Sequence, residues 1–196
     1  MKLLLVIIGL ITGMATMFFS CASVPQNAHL TPSLVARIKN SPPYDQGKFR
    51  GVDISSSKSF TGFVSTAWDF MFGGEDRTPN AGLPQMPVDL EHFSNPGKNQ
   101  LNATWLGHSS VMVNIDGYRI LFDPVFEKSL TIIGPSRYNG GVPLDIQALP
   151  DIDLVIISHD HYDHLNEYSI VQLNKKTTRF LVPFAVGSRL QDWGVP

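Results

Sequence analysis

The sequence predicts a mixed α/β fold, and two observations carry that expectation. Between Gln100 and Phe122, short apolar runs flank Asp116-Gly117, a pair that closes tight hairpins. From Leu154 to Trp193 the pattern becomes strand, helix, strand, helix, as in parallel βα units. The composition excludes several alternatives. The 196 residues fit one domain of ordinary size. Fifteen Lys+Arg against 17 Asp+Glu give a net charge of −2, so no basic surface for a nucleic-acid partner is expected. With 43% hydrophobic and 16% charged residues, the chain is neither disordered nor a coiled coil. The single cysteine, Cys21, excludes an intramolecular disulfide and a cysteine-based zinc cluster.

The elements follow in order. Lys2 precedes an uncharged stretch, Leu3 to Phe19, that suits a signal-peptide core. A small residue, Ser20, stands directly before Cys21, which resembles a bacterial lipoprotein processing site. Residues 1–20 are therefore read as a lipoprotein-type signal peptide, with Cys21 lipidated. A plain signal peptide and an uncleaved anchor are the alternatives. All three export the chain or fix it to a membrane, and the lipoprotein reading puts it at the bacterial cell envelope.

Residues 21–99 read as a tether and arm. Pro25, Pro32, Pro42 and Pro43 make 22–58 look irregular. Phe60, Phe63, Val64, Ala67, Trp68 and Met71 form one helical stripe, stopped by Gly73-Gly74. That helix either packs on the domain or faces a membrane or lipid substrate. Residues 75–99 return to loop. The domain, 100–196, opens with strands at 103–106, 111–115 and 118–122, then a long loop over 125–150. Leu154–Ser158 is an apolar run of the kind buried on both faces. A helix over 165–176, a strand over 180–183 and a short helix over 187–193 follow.

The chemistry concentrates just after that buried run. His159-Asp160-His161-Tyr162-Asp163-His164 holds three histidines and two aspartates. Imidazole nitrogen and carboxylate oxygen are the ligands a divalent metal takes when cysteine is absent. His159 and His161 are two apart, so in extended backbone they project to one side and can share an ion. Asp163 and His164 are placed to serve a second ion beside it, an arrangement suited to a displacement reaction. A polar loop with solvated histidines is the alternative. Asp123 ends a strand and reads either as a turn aspartate or as a carboxylate that fixes a ligand imidazole. His108, in a Gly-His-Ser turn, reads as a structural histidine or as a group near the substrate. His29 and His92 are read as solvated loop residues.

The His-x-His-x-Asp-His spacing after an apolar strand resembles the signature of the metallo-β-lactamase fold. Around it stand Thr104-Trp105-Leu106-Gly107-His108-Ser109-Ser110, Ile120-Leu121-Phe122-Asp123-Pro124-Val125-Phe126, Gly134-Pro135-Ser136-Arg137-Tyr138 and Val182-Pro183-Phe184-Ala185-Val186-Gly187. Together these resemble the branch that contains N-acylphosphatidylethanolamine-hydrolysing phospholipase D and its bacterial relatives. The resemblance implies an αββα sandwich, of which this chain holds the N-terminal half and the start of the second. It implies that His159 and His161 bind one zinc ion and that Asp163 and His164 bind another. Asp163 is also taken as catalytic, Asp123 and His108 as residues behind the ligands, and Asp160 and Tyr162 as spacers. The implied reaction is attack by zinc-bound hydroxide on a phosphodiester of a membrane lipid, with Leu130–Ile133 facing either the core or acyl chains. A lactonase or other small-metabolite hydrolase of the same fold is the alternative, and an inactive membrane-tethered fragment is a third.

The family pattern continues past the block that ends at Pro196, with further ligand histidines and a bridging aspartate. No histidine follows His164 here, and the later carboxylates, Glu167 and Asp192, read as surface residues. The chain is therefore expected to be a truncated member that binds metal weakly alone. A complementing chain or oligomer would restore the site.

Overall fold

The computed structural model describes residues 30–49, 62, 65–66, 68–69, 72–73, 81–95, 97–129, 137–138 and 141–196. Cys21 and residues 1–20, read above as a signal peptide, lie outside these residues, as do His29 and Leu130–Ile133.

The arm is more ordered than its prolines suggest. Helix α1 spans Pro32–Lys39. Proline breaks a helix interior, but at the first helical position its missing N–H costs nothing. The Thr31 hydroxyl caps the turn by accepting the Leu34 N–H at 3.3 Å. Arg37 and Lys39 sit in the last turn, where the helix dipole favours cations. A small hairpin, β1 (Tyr44–Asp45) and β2 (Lys48–Phe49), follows. Its turn, Gln46-Gly47, has φ of 46° and 83°. The arm docks through this hairpin and α1: the Phe49 ring stacks on Phe184 at 6.4 Å, and the Arg37 guanidinium lies 5.2 Å from that ring's centre.

The described residues between Gly62 and Phe72 are helical, and the Gly73 N–H closes the last turn on Asp69 O. The Trp68 and Phe72 rings lie tilted with centres 4.6 Å apart, yet the residues are 63% and 69% exposed. Phe60, Phe63, Val64, Ala67 and Met71 lie outside the described residues. The expected loop over 75–99 contains a short helix, α2 (Leu90–Ser94). Phe93 is 3% exposed and joins the main core, with Val88 and Leu90 packed against it. Arg119 donates to the Phe93 and Ser94 carbonyls at 3.1 and 2.6 Å, which satisfies the end of α2. His92 belongs to this helix rather than to a loop.

The domain is a five-stranded mixed sheet in the order β3-β4-β5-β6-β7. Strands β3 (Leu101–Gly107), β4 (Ser110–Ile115) and β5 (Tyr118–Phe122) run antiparallel. Strands β6 (Leu154–Ile156) and β7 (Phe180–Leu181) then add in parallel to β5. Helix α3 (Glu167–Asn174) makes the crossover between them, capped by the Asn166 side chain, and α4 (Val186–Asp192) follows β7. Within the long loop 125–150, Ile146–Ala148 form a 3-10 turn.

The register sorts the side chains. Met112, Leu121 and Val155 lie in one cross-strand row and are essentially inaccessible, packed with Ile152, Ile170 and Leu173. Burial of side chains this size contributes roughly 1.5–3 kcal/mol each. The opposite pleat carries Trp105, Val111, Phe122, Ile156 and Leu181 in a second row. That row is half-buried at its centre and open at its ends, with Trp105 71% exposed. Because β5, β6 and β7 are parallel, their C-terminal ends share one rim. The β3–β4 turn lies on the same rim, since Val111 pairs with Phe122. Ligand sites in α/β sheets form at such rims.

Candidate metal centre

Asp123 is the hub of the rim. It follows β5 directly, with φ of 42°, and its N–H donates to Ile156 O. This left-handed turn, tightened by the buried Pro124, aims a buried carboxylate across to β6. Asp123 Oδ1 accepts the Ser158 N–H at 2.7 Å. Asp123 Oδ2 accepts the Ser158 hydroxyl at 2.6 Å and His164 Nδ1–H at 2.9 Å. Ser158 Oγ also lies 2.9 Å from His159 Nδ1.

These contacts fix two tautomers. A carboxylate oxygen accepts, so this contact calls for the His164 proton on Nδ1. The Ser158 hydroxyl proton is committed to Asp123, so Ser158 Oγ accepts from His159 Nδ1–H. Both rings therefore turn an unprotonated Nε2 away from the strand ends, which is the form that binds metal.

The remaining groups meet these nitrogens. His159 Nε2 stands 3.1 Å from His161 Nδ1. Two nitrogens bound about 2.0–2.1 Å from a tetrahedral zinc lie roughly 3.3 Å apart. The pair thus fits one shared cation. His164 Nε2 lies 3.8 Å from Asp163 Oδ2, which also accepts His108 Nε2–H at 2.8 Å. Among the described residues, His108, Asp163 and His164 each offer a ligand atom, all within 4.8 Å of one another. The His159 and His164 rings are 3.9 Å apart, so the two groups of candidate ligands adjoin.

The electrostatics follow from this crowding. Burial, then the nearby His164 and His161, lower the His159 pKa below the usual imidazole value. For Asp163, burial acts to raise the pKa. The His108 hydrogen bond, the backbone N–H and the charges of His164 and His108 together outweigh it and leave the carboxyl below its usual range. A neutral imidazole and an ionised carboxylate are the forms a metal requires.

The rim brings together all the residues singled out in the sequence motif. Asp160 points elsewhere, 3.8 Å from Arg189, and Tyr162 is exposed, as their spacer positions imply. Glu167 and Asp192 are exposed too. Ser158 is the residue that motif reading passes over. Its only signal was its position, last in the apolar run and next to the first histidine. Two further serines brace the rim. Ser109 Oγ donates to Asp163 O at 3.2 Å, and Ser110 Oγ donates to Asp123 O at 2.8 Å. Arg137 donates to Val125 O at 2.9 Å and to Leu106 O at 3.4 Å, tying the long loop to the β3–β4 turn.

Residues 118–196, which contain this rim from β5 onward, match the beta-lactamase superfamily domain. In these residues the chain is similar to the beta-lactamase superfamily. Over 170 residues, 84% of this chain, the sequence is 34% identical to an uncharacterized protein of Mycobacterium tuberculosis and covers 45% of it. Over 118 residues it is 33% identical to N-acyl-phosphatidylethanolamine-hydrolyzing phospholipase D 1 of Caenorhabditis elegans, covering 58% of this chain and 32% of that enzyme. Over 90 residues it is 31% identical to a metal-dependent hydrolase of Hyperthermus butylicus, covering 45% and 34% of the two chains. The chain thus spans less than half the length of each of these curated relatives. By name, the Caenorhabditis elegans relative is a phospholipase D and the Hyperthermus butylicus relative a metal-dependent hydrolase.

Proposed function

We propose that this chain supplies the metal-binding rim of a two-zinc hydrolase that cleaves a phosphodiester in N-acylphosphatidylethanolamine-like lipids. The convergence of His159, His161, Asp163 and His164 on one rim supports it. His159 and His161 would hold one ion, and Asp163 and His164 the other. Bound ions of this kind bring the pKa of water toward about 7 and offset charge that develops on phosphoryl oxygens. The chain's own residues prepare the ligands. Asp123 and Ser158 keep Nε2 of His159 and His164 free of protons. Asp163, held ionised, supplies the negative donor of the second group. Cys21, outside the described residues, would tether the chain beside its lipid substrate.

The test uses the full chain with added zinc, assayed on vesicles containing N-acylphosphatidylethanolamine and on a panel of small lactones. Phosphodiester turnover that His159→Ala abolishes supports the proposal. Lactone turnover without lipid turnover favours a small-metabolite hydrolase instead. Tight zinc binding without turnover of either class rejects autonomous catalysis and points to a tethered fragment or a need for a second chain. For the anchor, Cys21→Ser should move the protein out of the membrane fraction. Unchanged fractionation rejects lipidation.

A further inference from the structure

We propose that Arg137 is a positioning residue for the metal rim: its guanidinium sets the spacing between the two turns that grip Asp163 and His164. The inference deepens the two-ion reading above, in which those two residues serve one ion. They are neighbours in sequence, yet they are held from two different turns. His108, in the β3–β4 turn, meets Asp163 Oδ2 at 2.8 Å. Asp123, in the turn after β5, meets His164 Nδ1 at 2.9 Å. Whatever fixes one turn against the other therefore fixes the geometry of this pair.

Arg137 bridges these turns. Its Nη1 donates to Leu106 O at 3.4 Å, just before the His108 turn. Its Nη2 donates to Val125 O at 2.9 Å, just after the Asp123 turn, and to Ser110 Oγ at 3.4 Å. Ser110 Oγ in turn donates to Asp123 O at 2.8 Å and accepts the Val125 N–H at 3.1 Å. One side chain thus reaches both turns and the serine that joins them. The guanidinium is always charged, and hydrogen bonds from charged donors are roughly twice as strong as neutral ones. Both turns need such support. His108 and Asp123 have φ of 48° and 42°, a conformation that persists in a non-glycine residue where its surroundings enforce it. Gly107 makes room for the clamp, since a Cβ there would lie 2.9 Å from Nη1. The clamp is also fixed at its root, where the Arg137 N–H donates to Lys128 O at 2.8 Å. A planar guanidinium can span carbonyls on two separate segments, whereas a lysine ammonium is a point charge.

The experiment compares the full chain with Arg137→Lys, Arg137→Gln and Leu173→Ala. Leu173 is fully buried on α3, so its truncation lowers stability through the core. Far-UV circular dichroism of the metal-free proteins checks that each variant is folded. Proton–nitrogen NMR correlations then read the rings of His108 and His164, and competition with a chelating dye reads zinc affinity. The His108 and His164 ring signals should shift in both Arg137 variants. Affinity for one ion should fall about tenfold or more, as when a group that orients a ligand is lost. Leu173→Ala should keep the wild-type ring signals and affinity. Unchanged ring signals and affinity in both Arg137 variants overturn the proposal, whatever their stability. Equal changes in Leu173→Ala overturn it too, because the effect is then one of general stability. If Arg137→Lys matches the wild type, a single point charge suffices and the two-turn clamp is refuted. If the wild-type chain binds no zinc, the two-ion reading fails, and the ring signals of the metal-free chains still decide the role of Arg137.

Discussion

Replacing Asp123 with asparagine removes one charge and almost no volume, so its effects trace to proton positions. Oδ1 can still accept the Ser158 N–H, which is 2.7 Å away in the wild-type chain. An amide nitrogen then stands where Oδ2 had accepted both the Ser158 hydroxyl and His164 Nδ1–H. Ser158 can rotate its proton away. His164 can meet an amide donor only by giving up the proton on Nδ1, which moves it to Nε2. That nitrogen is the one that faces Asp163. The fold should survive. Hydrogen bonds to charged groups contribute about 1.5–3 kcal/mol against roughly 1 for neutral ones, so a loss of about 1–3 kcal/mol in stability is expected. The larger effect is on metal affinity, which should drop at least about 10–100-fold for one ion, roughly 1.4–2.7 kcal/mol. Long-range proton–nitrogen NMR correlations on the metal-free chain read the tautomer of His164, and competition with a chelating dye reads the affinity. Two outcomes would refute the reasoning: a wild-type His164 already protonated on Nε2, or an Asp123→Asn protein that binds metal as the wild type does.

Three further expectations follow from the same contacts. Gly107→Ala should destabilise by about 1–3 kcal/mol, because φ is 98° and the new methyl would lie 2.9 Å from Arg137 Nη1. Gly117→Ala, at φ of 91° with nothing within 4 Å, should cost less in the same urea titration, and an equal cost would sink the steric argument. Leu121→Ala, at a fully buried position, should cost about 2–5 kcal/mol, and thermal unfolding that shows no loss would contradict the assigned core. The metal-free chain should lose stability on acidification. With its folded pKa lowered, His159 takes a proton more readily when unfolded, so its contribution is present above about pH 6.5 and fades as pH falls toward the folded value. Asp163, also lowered, adds a loss in the same direction as pH falls below about 4. Urea midpoints at several pH values check this, and a His159→Ala chain with an undiminished slope near pH 6 would rule out the assigned source.

What the sequence determined by itself was the local order and the set of candidate ligands. Alternation, the Asp116-Gly117 turn and the apolar run before His159 specify strands β3 to β6, because a period of two has one consistent reading. The His-x-His-x-Asp-His spacing named the candidate metal residues, since few other uses crowd these side chains together. Helix α1 was hidden because its proline acts as a starter only once Thr31 caps it. Helix α2 was hidden because its reason for being helical is distant, in Phe93's place in the core and Arg119's hold on its carbonyls. Tertiary structure alone decided the contacts of Asp123 and of His108. Asp123 and Ser158 lie 35 residues apart, and His108 and Asp163 lie 55 apart. Sequence periodicity carries no information across such separations. Parallel pairing of β5 with β6, and antiparallel pairing of β4 with β5, bring all of them to one rim.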